Sequence, residues 1–556
     1  MKKFLLAVVC SLVIGVGTVD ACTSFIITKG ASTDGSVMVS YAADAHQLYG
    51  VLYKYNAPRR GYKPGAMVPI YEWDTGRYLG EIPQVRQTYS TVGNMNEHQL
   101  IIAESTFGGR PELENPNGGI LDYGSLIYLA LQRASTAREA IEVIVDLANT
   151  YGYVSSGESL SIADKNEAWI FEMIGKGCKI IDGQNVNNGI VWVARRVPDG
   201  YICAHANQAR IGQFPLDDPE NCMYAPDVIS FAREMGYYEG SDEDFSFCDA
   251  YAPLSFDALR GCESRVWSFF RMFATGMDAY LDYAMGYNTD NRMPLWVKPS
   301  QKISPKQVFD AMRDHFEGTP MDMTADIGAG GSACPYRWRP MTWEWNGKTY
   351  LNERATATQQ TGFWFVGQTR NIMPDVIGGI LWFGVDDAAT SALTPIFCGT
   401  TEVPWCLDEN NGSMLEYSDT SMFWIFNRIA QFAYLRYDII GAAVQKAADK
   451  WENEMLLAVQ EFDEYIMHHD FPQRKLVKEA TRFSVDNAQK LFQRWNELDK
   501  YLMVKYIDGN VKCEDRNGFI GNGYDKNIPG EIEWPGYTDK WKEAVVKDAG
   551  NVLRVQ

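Results

Sequence analysis

The sequence predicts an α+β protein, with helices covering mainly antiparallel sheets and a helical region closing the chain. Three observations carry this. Apolar strands arrive in turn-linked pairs, capped amphipathic helices lie between them, and the composition changes near residue 421.

Thr23 to Lys29 reads as a strand, Gly30 to Gly35 as a turn, and Ser36 to Ser40 as a second strand, a hairpin directly preceded by Cys22. Leu100 to Glu104 is a short apolar strand. Leu160 to Asp164 and Ala168 to Ile174 flank Lys165-Asn166-Glu167, while Val191 to Val197 and Tyr201 to Ala206 flank Pro198-Asp199-Gly200. Both pairs read as hairpins, which implies antiparallel pairing. Thr136 with Glu139 forms a capping-box pattern ahead of Ile141, Ile144, Val145 and Ala148 on one helical face. Ser304-Pro305-Lys306-Gln307 is a second helix start.

From about Ser421 to 504 the chain is rich in Ala, Leu, Glu, Lys, Gln and Met and carries one proline, Pro472. It reads as two or three long amphipathic helices that cover the core, with a dimerisation surface (a homo-oligomer) as the alternative. A boundary near 415 divides the chain into a targeting segment at 1–21, a main domain at 22–415 and a mainly helical region at 416–556.

The 556 residues suffice for a large core, and 46% apolar content excludes disorder. Asp plus Glu exceed Lys plus Arg, 71 to 51, so the net charge is −20. Such a surface repels phosphate backbones and anionic lipid, which argues against nucleic-acid and peripheral membrane partners. Lys2, Lys3 and the apolar run Phe4 to Val16 form an export signal ending at Thr18-Val19-Asp20-Ala21. No other uninterrupted apolar stretch reaches about 18 residues, so no integral membrane segment is expected in the mature chain. The expected location is periplasmic or extracellular. Of eleven cysteines, Cys10 leaves with the signal and Cys22 becomes the first residue. The other nine are widely spaced and offer no CxxC zinc pair; Cys398 and Cys406 are close enough in sequence to close a small loop.

Removal of residues 1–21 frees the α-amine of Cys22, whose reference pKa of about 7.7–8.0 lies near that of its thiol at about 8.5. One residue then supplies a nucleophile and a base, able to attack an amide carbonyl and form an acyl-enzyme. A signal ending at a cysteine also describes a lipoprotein, but Asp20, two positions before Cys22, is charged where such sites carry small or apolar residues.

The sequence after Cys22 resembles the N-terminal nucleophile cysteine hydrolases, and specifically the dipeptidase A–like family. The resemblance begins with Cys22-Thr23-Ser24-Phe25-Ile26-Ile27, Lys29 to Ser32 and Asp34-Gly35-Ser36. It continues through Gly93 to His98 and Ala103 to Arg110, then Glu167 to Glu172, Ala206 to Ile211 and Ser264 to Trp267. Thr358-Gln359-Gln360 and Trp382 to Val385 extend it to about residue 400.

The resemblance implies a four-layer αββα sandwich and cofactor-free, metal-free hydrolysis of small dipeptides. It makes Cys22 the nucleophile and Asp44 the group orienting the nucleophile and its amine. It makes Asn207 an oxyanion donor and Arg265 a cation favouring the thiolate. The plainer alternatives are a turn residue for Asp44 and Asn207 and a surface ion pair for Arg265. Relatives usually carry arginine three residues before the aspartate, where this chain has Tyr41, which implies a missing charge beside the nucleophile. A second asparagine of the bile-salt and penicillin relatives aligns with Thr106.

Glu104 and Arg110 are candidates for the substrate's ammonium and carboxylate, and His98 and His205 for substrate contact. Aromatics from Trp338 to Trp345 are candidates for a cleft wall. His468-His469 lacks the i, i+4 spacing of a helical metal pair, and Gly328-Ala329-Gly330-Gly331 lacks the ending of a phosphate loop. Two other functions fit the same residues: an acylase for non-peptide amides of the bile-salt or penicillin V type, and a lipidated, non-catalytic surface binding protein.

Overall fold

The computed structural model describes residues 22–114 and 118–556; the predicted signal segment and its cleavage site lie outside them. The elements that build the site are, in chain order, β1 (Ser24–Ile27), β2 (Val37–Asp44), β3 (Ile101–Gly108), α1 (Tyr123–Arg133) and α2 (Ala137–Tyr151). There follow β4 (Gly157–Ala163), β5 (Ala168–Gly175), β6 (Ile190–Arg196), β7 (Ile202–His205) and α3 (Ser264–Phe273). Last come β8 (Thr361–Thr369), β9 (Ile380–Val385), β10 (Thr394–Phe397), α4 (Met422–Leu435), α5 (Ala442–Met467) and α6 (Gln473–Tyr506).

Two antiparallel sheets carry the molecule. In the first the order is Trp296–Val297, β7, β1, β2, β8, β9, β10. In the second it is Cys222–Tyr224, β6, β5, β4, β3, then short strands at Met95–Asn96, Thr91–Val92 and Lys54–Tyr55. The sheets face each other: Ser24 Oγ and Ser161 Oγ lie 2.8 Å apart, and Thr369 Oγ1 donates to the Asp164 carbonyl at 3.1 Å. Gly367 is required at this interface, because a Cβ there would lie 2.6 Å from Ile101 Cδ1.

Helices α1 and α2 pack on the second sheet, and α3, α5 and α6 contact the first. β2, β5 and β8 are therefore buried along their whole length and read as near-continuous apolar runs. The predicted helix starts hold. Thr136 caps α2 by accepting from Glu139 N, while Glu139 reaches back to Ser135 rather than to Thr136. Ser304 and Gln307 form the full reciprocal box ahead of Pro305–Ala311.

One pairing differs from the sequence reading. β4 and β5 form a hairpin, but β6 and β7 do not pair; they belong to different sheets, and Pro198-Asp199-Gly200 carries the chain between them. Turn residues mark a change of direction without specifying the partner. Here the turn docks on the end of β1: Gly30 N donates to Asp199 Oδ1 at 2.6 Å and Gly200 N to Thr28 Oγ1 at 3.0 Å. β7 is thereby delivered beside β1.

The region after 415 holds three long helices. Trp451 and Trp495 share one apolar core with the sheets, and Trp451 Nε1 donates to the Leu393 carbonyl at 2.9 Å. Among the described residues no helix is long and apolar enough to cross a membrane. Cys398 and Cys406 are both thiols.

Candidate active site

Antiparallel order brings the start of β1, the end of β2, the end of β7 and the start of β8 to one edge of the first sheet. Cys22, Asp44, Asn207 and Thr361 meet there, and β3 of the second sheet adds Glu104, Ser105 and Thr106. The register of β8 shifts between Thr361 and Phe363. A bulge of this kind re-aims a side chain. Thr361 Oγ1 donates to Asp44 Oδ1 at 2.7 Å. Gly50 packs against this bulge, where a Cβ would lie 1.9 Å from the Gly362 carbonyl oxygen.

Arg265 ties the pieces together. A wide turn with i→i+5 bonding at Leu259–Glu263 leads into α3, and Arg265 Nε donates to the Gly261 carbonyl at 3.0 Å. Its Nη1 donates to the Cys22 carbonyl at 2.7 Å and to Thr23 Oγ1 at 2.8 Å. Its Nη2 donates to Asn207 Oδ1 at 2.9 Å. At 1% exposure it is no surface ion pair. Its bonds go to the backbone and neighbours of the cysteine, a positioning role that the expectation of a thiolate counter-ion did not include.

Asn207 stands at φ +61°, the left-handed region that Asn tolerates better than most residues. Its N–H donates to Ser105 Oγ at 2.5 Å and its Nδ2 to the Thr106 carbonyl at 2.7 Å. Backbone and amide are both fixed.

Asp44 is fully buried, with Arg354 Nη2 donating to its Oδ2 at 2.5 Å. Burial raises its pKa, and Arg354 and Thr361 offset only part of the rise. An arginine thus stands beside the aspartate after all, supplied from 310 positions away rather than from position 41. Tyr41 has a different task. Its hydroxyl donates to Glu104 Oε1 and lies 3.6 Å from Cys22 Sγ. Cys22 Sγ donates to the same oxygen at 3.0 Å. Burial, then the charges of Glu104 and Asp44, push the thiol well above its ordinary value. Burial pushes Glu104 up to about 7.

A cleft of about 1000 Å³ opens beside this cluster, with Asn207, Arg265, Arg354 and Thr361 in its wall. Cys22, 5% exposed, is held against that wall by Arg265. Trp338, Pro340 and Met341 line one side, as the aromatic content of that stretch predicted, although Trp343 and Trp345 point to solvent. Phe423, Trp424, Asn427 and Gln431 of α4 line another, so the C-terminal region forms part of the cleft as well as covering the core.

Other candidates go elsewhere. Arg110 donates from Nε to the Ala250 carbonyl at 2.6 Å and stacks on Tyr237. His205 is buried between the sheets with Nε2 2.7 Å from Ser161 Oγ, and burial takes its pKa down to about 3. His98 packs edge-on against Tyr89 and lies 3.6 Å from Asp375. His468 and His469 sit exposed at the end of α5. Among the described residues one carboxylate group, Asp310, Asp449 and Glu452, comes within metal-ligating reach, and Lys306 and Arg313 already pair with it.

Arg354 and Glu158 escaped sequence reasoning. Arg354 lies four residues before Thr358-Gln359-Gln360, a proximity that was a usable signal; Glu158 had none beyond an acid inside a strand.

A family model described as Peptidase family C69 matches residues 21–450. A "Probable dipeptidase" of Latilactobacillus sakei is 23% identical over 463 residues, covering 79% of this chain and 87% of its own. A "Probable dipeptidase" of Salmonella dublin is 24% identical over 421 residues, covering 72% and 85%. "Dipeptidase A" of Lactobacillus helveticus is 22% identical over 439 residues, covering 76% and 83%. With the family model spanning well over half of its length, the chain belongs to peptidase family C69.

Proposed function

We propose that this protein is an exported cysteine dipeptidase with a four-layer αββα N-terminal nucleophile fold, and that removal of residues 1–21 makes Cys22 its first residue. The observation that carries this reading is the placement of Cys22. Arg265 holds its carbonyl at 2.7 Å and, through the same guanidinium, the Asn207 amide at 2.9 Å, beside a cleft.

In the proposed reaction the scissile carbonyl enters the cleft against Asn207. Cys22 Sγ attacks, the developing oxyanion takes a hydrogen bond from the Asn207 amide, and the amine of the second amino acid departs with a proton. Water then hydrolyses the thioester. The α-amine of Cys22, freed by processing, is one base available to the thiol, and Asp44 with Arg354 fixes the cysteine's surroundings. Dipeptides as substrates are supported by the family and by the names of the relatives.

The test is peptide mass spectrometry of the exported protein together with a dipeptide-panel assay of wild type and Cys22→Ser. A mature chain starting at unmodified Cys22, with cleavage lost on substitution, supports the reading. A lipid-modified or unprocessed Cys22 refutes it.

A further inference from the structure

We propose that Glu104 accepts the thiol proton of Cys22 and returns it to the departing amine. This rests on Cys22 being the nucleophile and assigns a proton acceptor in addition to the α-amine.

Three buried carboxylates are paired with arginine, Asp44 with Arg354, Glu263 with Arg210 and Glu452 with Arg313, and others are held by neutral donors, Glu172 by backbone N–H groups and Asp387 by tyrosine hydroxyls. Glu104 and Glu158, 2% and 0% exposed, pair with no arginine or lysine among the described residues. The groups around them are acids. On Glu104 Oε1 converge the Cys22 thiol at 3.0 Å, from the start of the first sheet, and the Tyr41 hydroxyl, from β2. Glu158 comes from β4 beside it, with Thr106 Oγ1 donating to its Oε1 at 2.7 Å. Asp74, Tyr123 at the start of α1, and Tyr153 complete the surroundings.

A buried carboxylate without an arginine or lysine partner is held by the hydrogen-bond donors around it. Burial and the facing charge of Glu104 raise the Glu158 carboxyl well above the usual carboxylate range, and the Oε2 atoms of both glutamates have no hydrogen-bond partner among the described residues. Glu104 Oε1 accepts from two acids at once, the Cys22 thiol and the Tyr41 hydroxyl. Only one of them, the thiol, belongs to a nucleophile. When the carbonyl arrives, the Sγ–H bond breaks and Oε1–H forms while the sulfur lone pair bonds to the carbonyl carbon. As the C–N bond breaks, the Oε1 proton passes to the leaving nitrogen. In the second half, water gives a proton to Oε1 and its oxygen to the acyl carbon, and the proton returns to sulfur. No other reactant is needed. The proton affinity of Glu104, about 7, suits both directions.

The two roles open to this carboxylate predict opposite signs in one measurement. The rate of iodoacetamide modification at Cys22 is followed by peptide mass spectrometry from pH 5 to 9, in wild type and Glu104→Gln. As proton acceptor, Glu104 is needed for reactivity at neutral pH, and Glu104→Gln slows modification at least tenfold at pH 7. As a merely repulsive neighbour it raises the thiol, and removing it speeds modification; a faster or unchanged rate overturns the proposal. Should Glu104→Gln fail to fold, Tyr41→Phe carries the test. Losing that donor to Oε1 moves the acidic limb of the Cys22 profile to higher pH. A limb that stays put or moves down overturns the proposal. No dipeptide is involved, so a protein inactive on every dipeptide yet showing these shifts would fail the substrate reading and keep this one.

Discussion

The two sides of Cys22 are built in opposite ways. On one side Arg265 and Arg354 place permanent charges, and every group they touch, from the Cys22 carbonyl to the Asp44 carboxylate, is fixed by a charged donor. On the other, Tyr41 and the Cys22 thiol reach Glu104 through protons, and no arginine or lysine pairs with it among the described residues. Position is secured by groups that cannot titrate, and proton movement is left to groups that can. A guanidinium never gives up its proton near neutral pH, so it can orient without interfering in transfer.

The comparison predicts a hierarchy of damage. The largest effect belongs to Arg354→Leu, which strands the Asp44 carboxylate and is expected to cost about 3–5 kcal/mol in urea unfolding. Adding Asp44→Asn should recover more than half of it. A cost below about 1 kcal/mol would break the contrast on the charged side. Next is Asn207→Ala, expected to lower kcat on a dipeptide by about 10²–10³-fold with little change in KM. A change confined to KM would move Asn207 from the transition state to binding. Tyr41→Phe removes one donor from the Glu104 carboxylate, so protonation becomes easier and the acidic limb of the pH–rate profile should rise by about one unit.

A smaller effect concerns stability. The Glu104 pKa is about 7 in the fold and about 4.3 in an unfolded chain. Between those values the folded protein binds more protons, so stability is higher at the acid end of the window and declines as pH rises through it. Thermal midpoints from pH 5 to 7.5 should fall less steeply for Glu104→Gln than for wild type. Glu172, also raised to about 7, acts in both proteins and cancels in the difference. The smallest expected effect is Trp338→Ala at the cleft wall, a rise in KM of less than about tenfold, under 1.4 kcal/mol, at constant kcat.

How much of this was legible in the sequence follows from the range of each interaction. β1 and β2 form the predicted hairpin, and Ser304 caps its helix as predicted, because local signals set both. The β6–β7 pairing was misread because the choice of sheet depends on Asp199 meeting Gly30, 169 positions away. At the site, Cys22, Asp44, Asn207 and Arg265 were named from residue type and resemblance, and the structure brings Asn207 and Arg265 into direct contact with each other, with Arg265 on the Cys22 carbonyl. Tyr41 was seen as an absence of charge. Its role beside Glu104 needs the second sheet, which no local pattern on β2 announces. Arg354 stood near a recognised motif, but its contact with Asp44 spans 310 positions.

Helix α4 puts Phe423, Trp424, Asn427 and Gln431 into the wall of the cleft, whereas the residues that touch Cys22 or hold its neighbours all lie before residue 362. Part of the cleft wall is therefore written in a stretch of the gene that holds none of those residues. Mutation in that stretch can retune which substrates fit while the reacting groups stay as they are. A lineage carrying this architecture can change its diet without relearning how to cut.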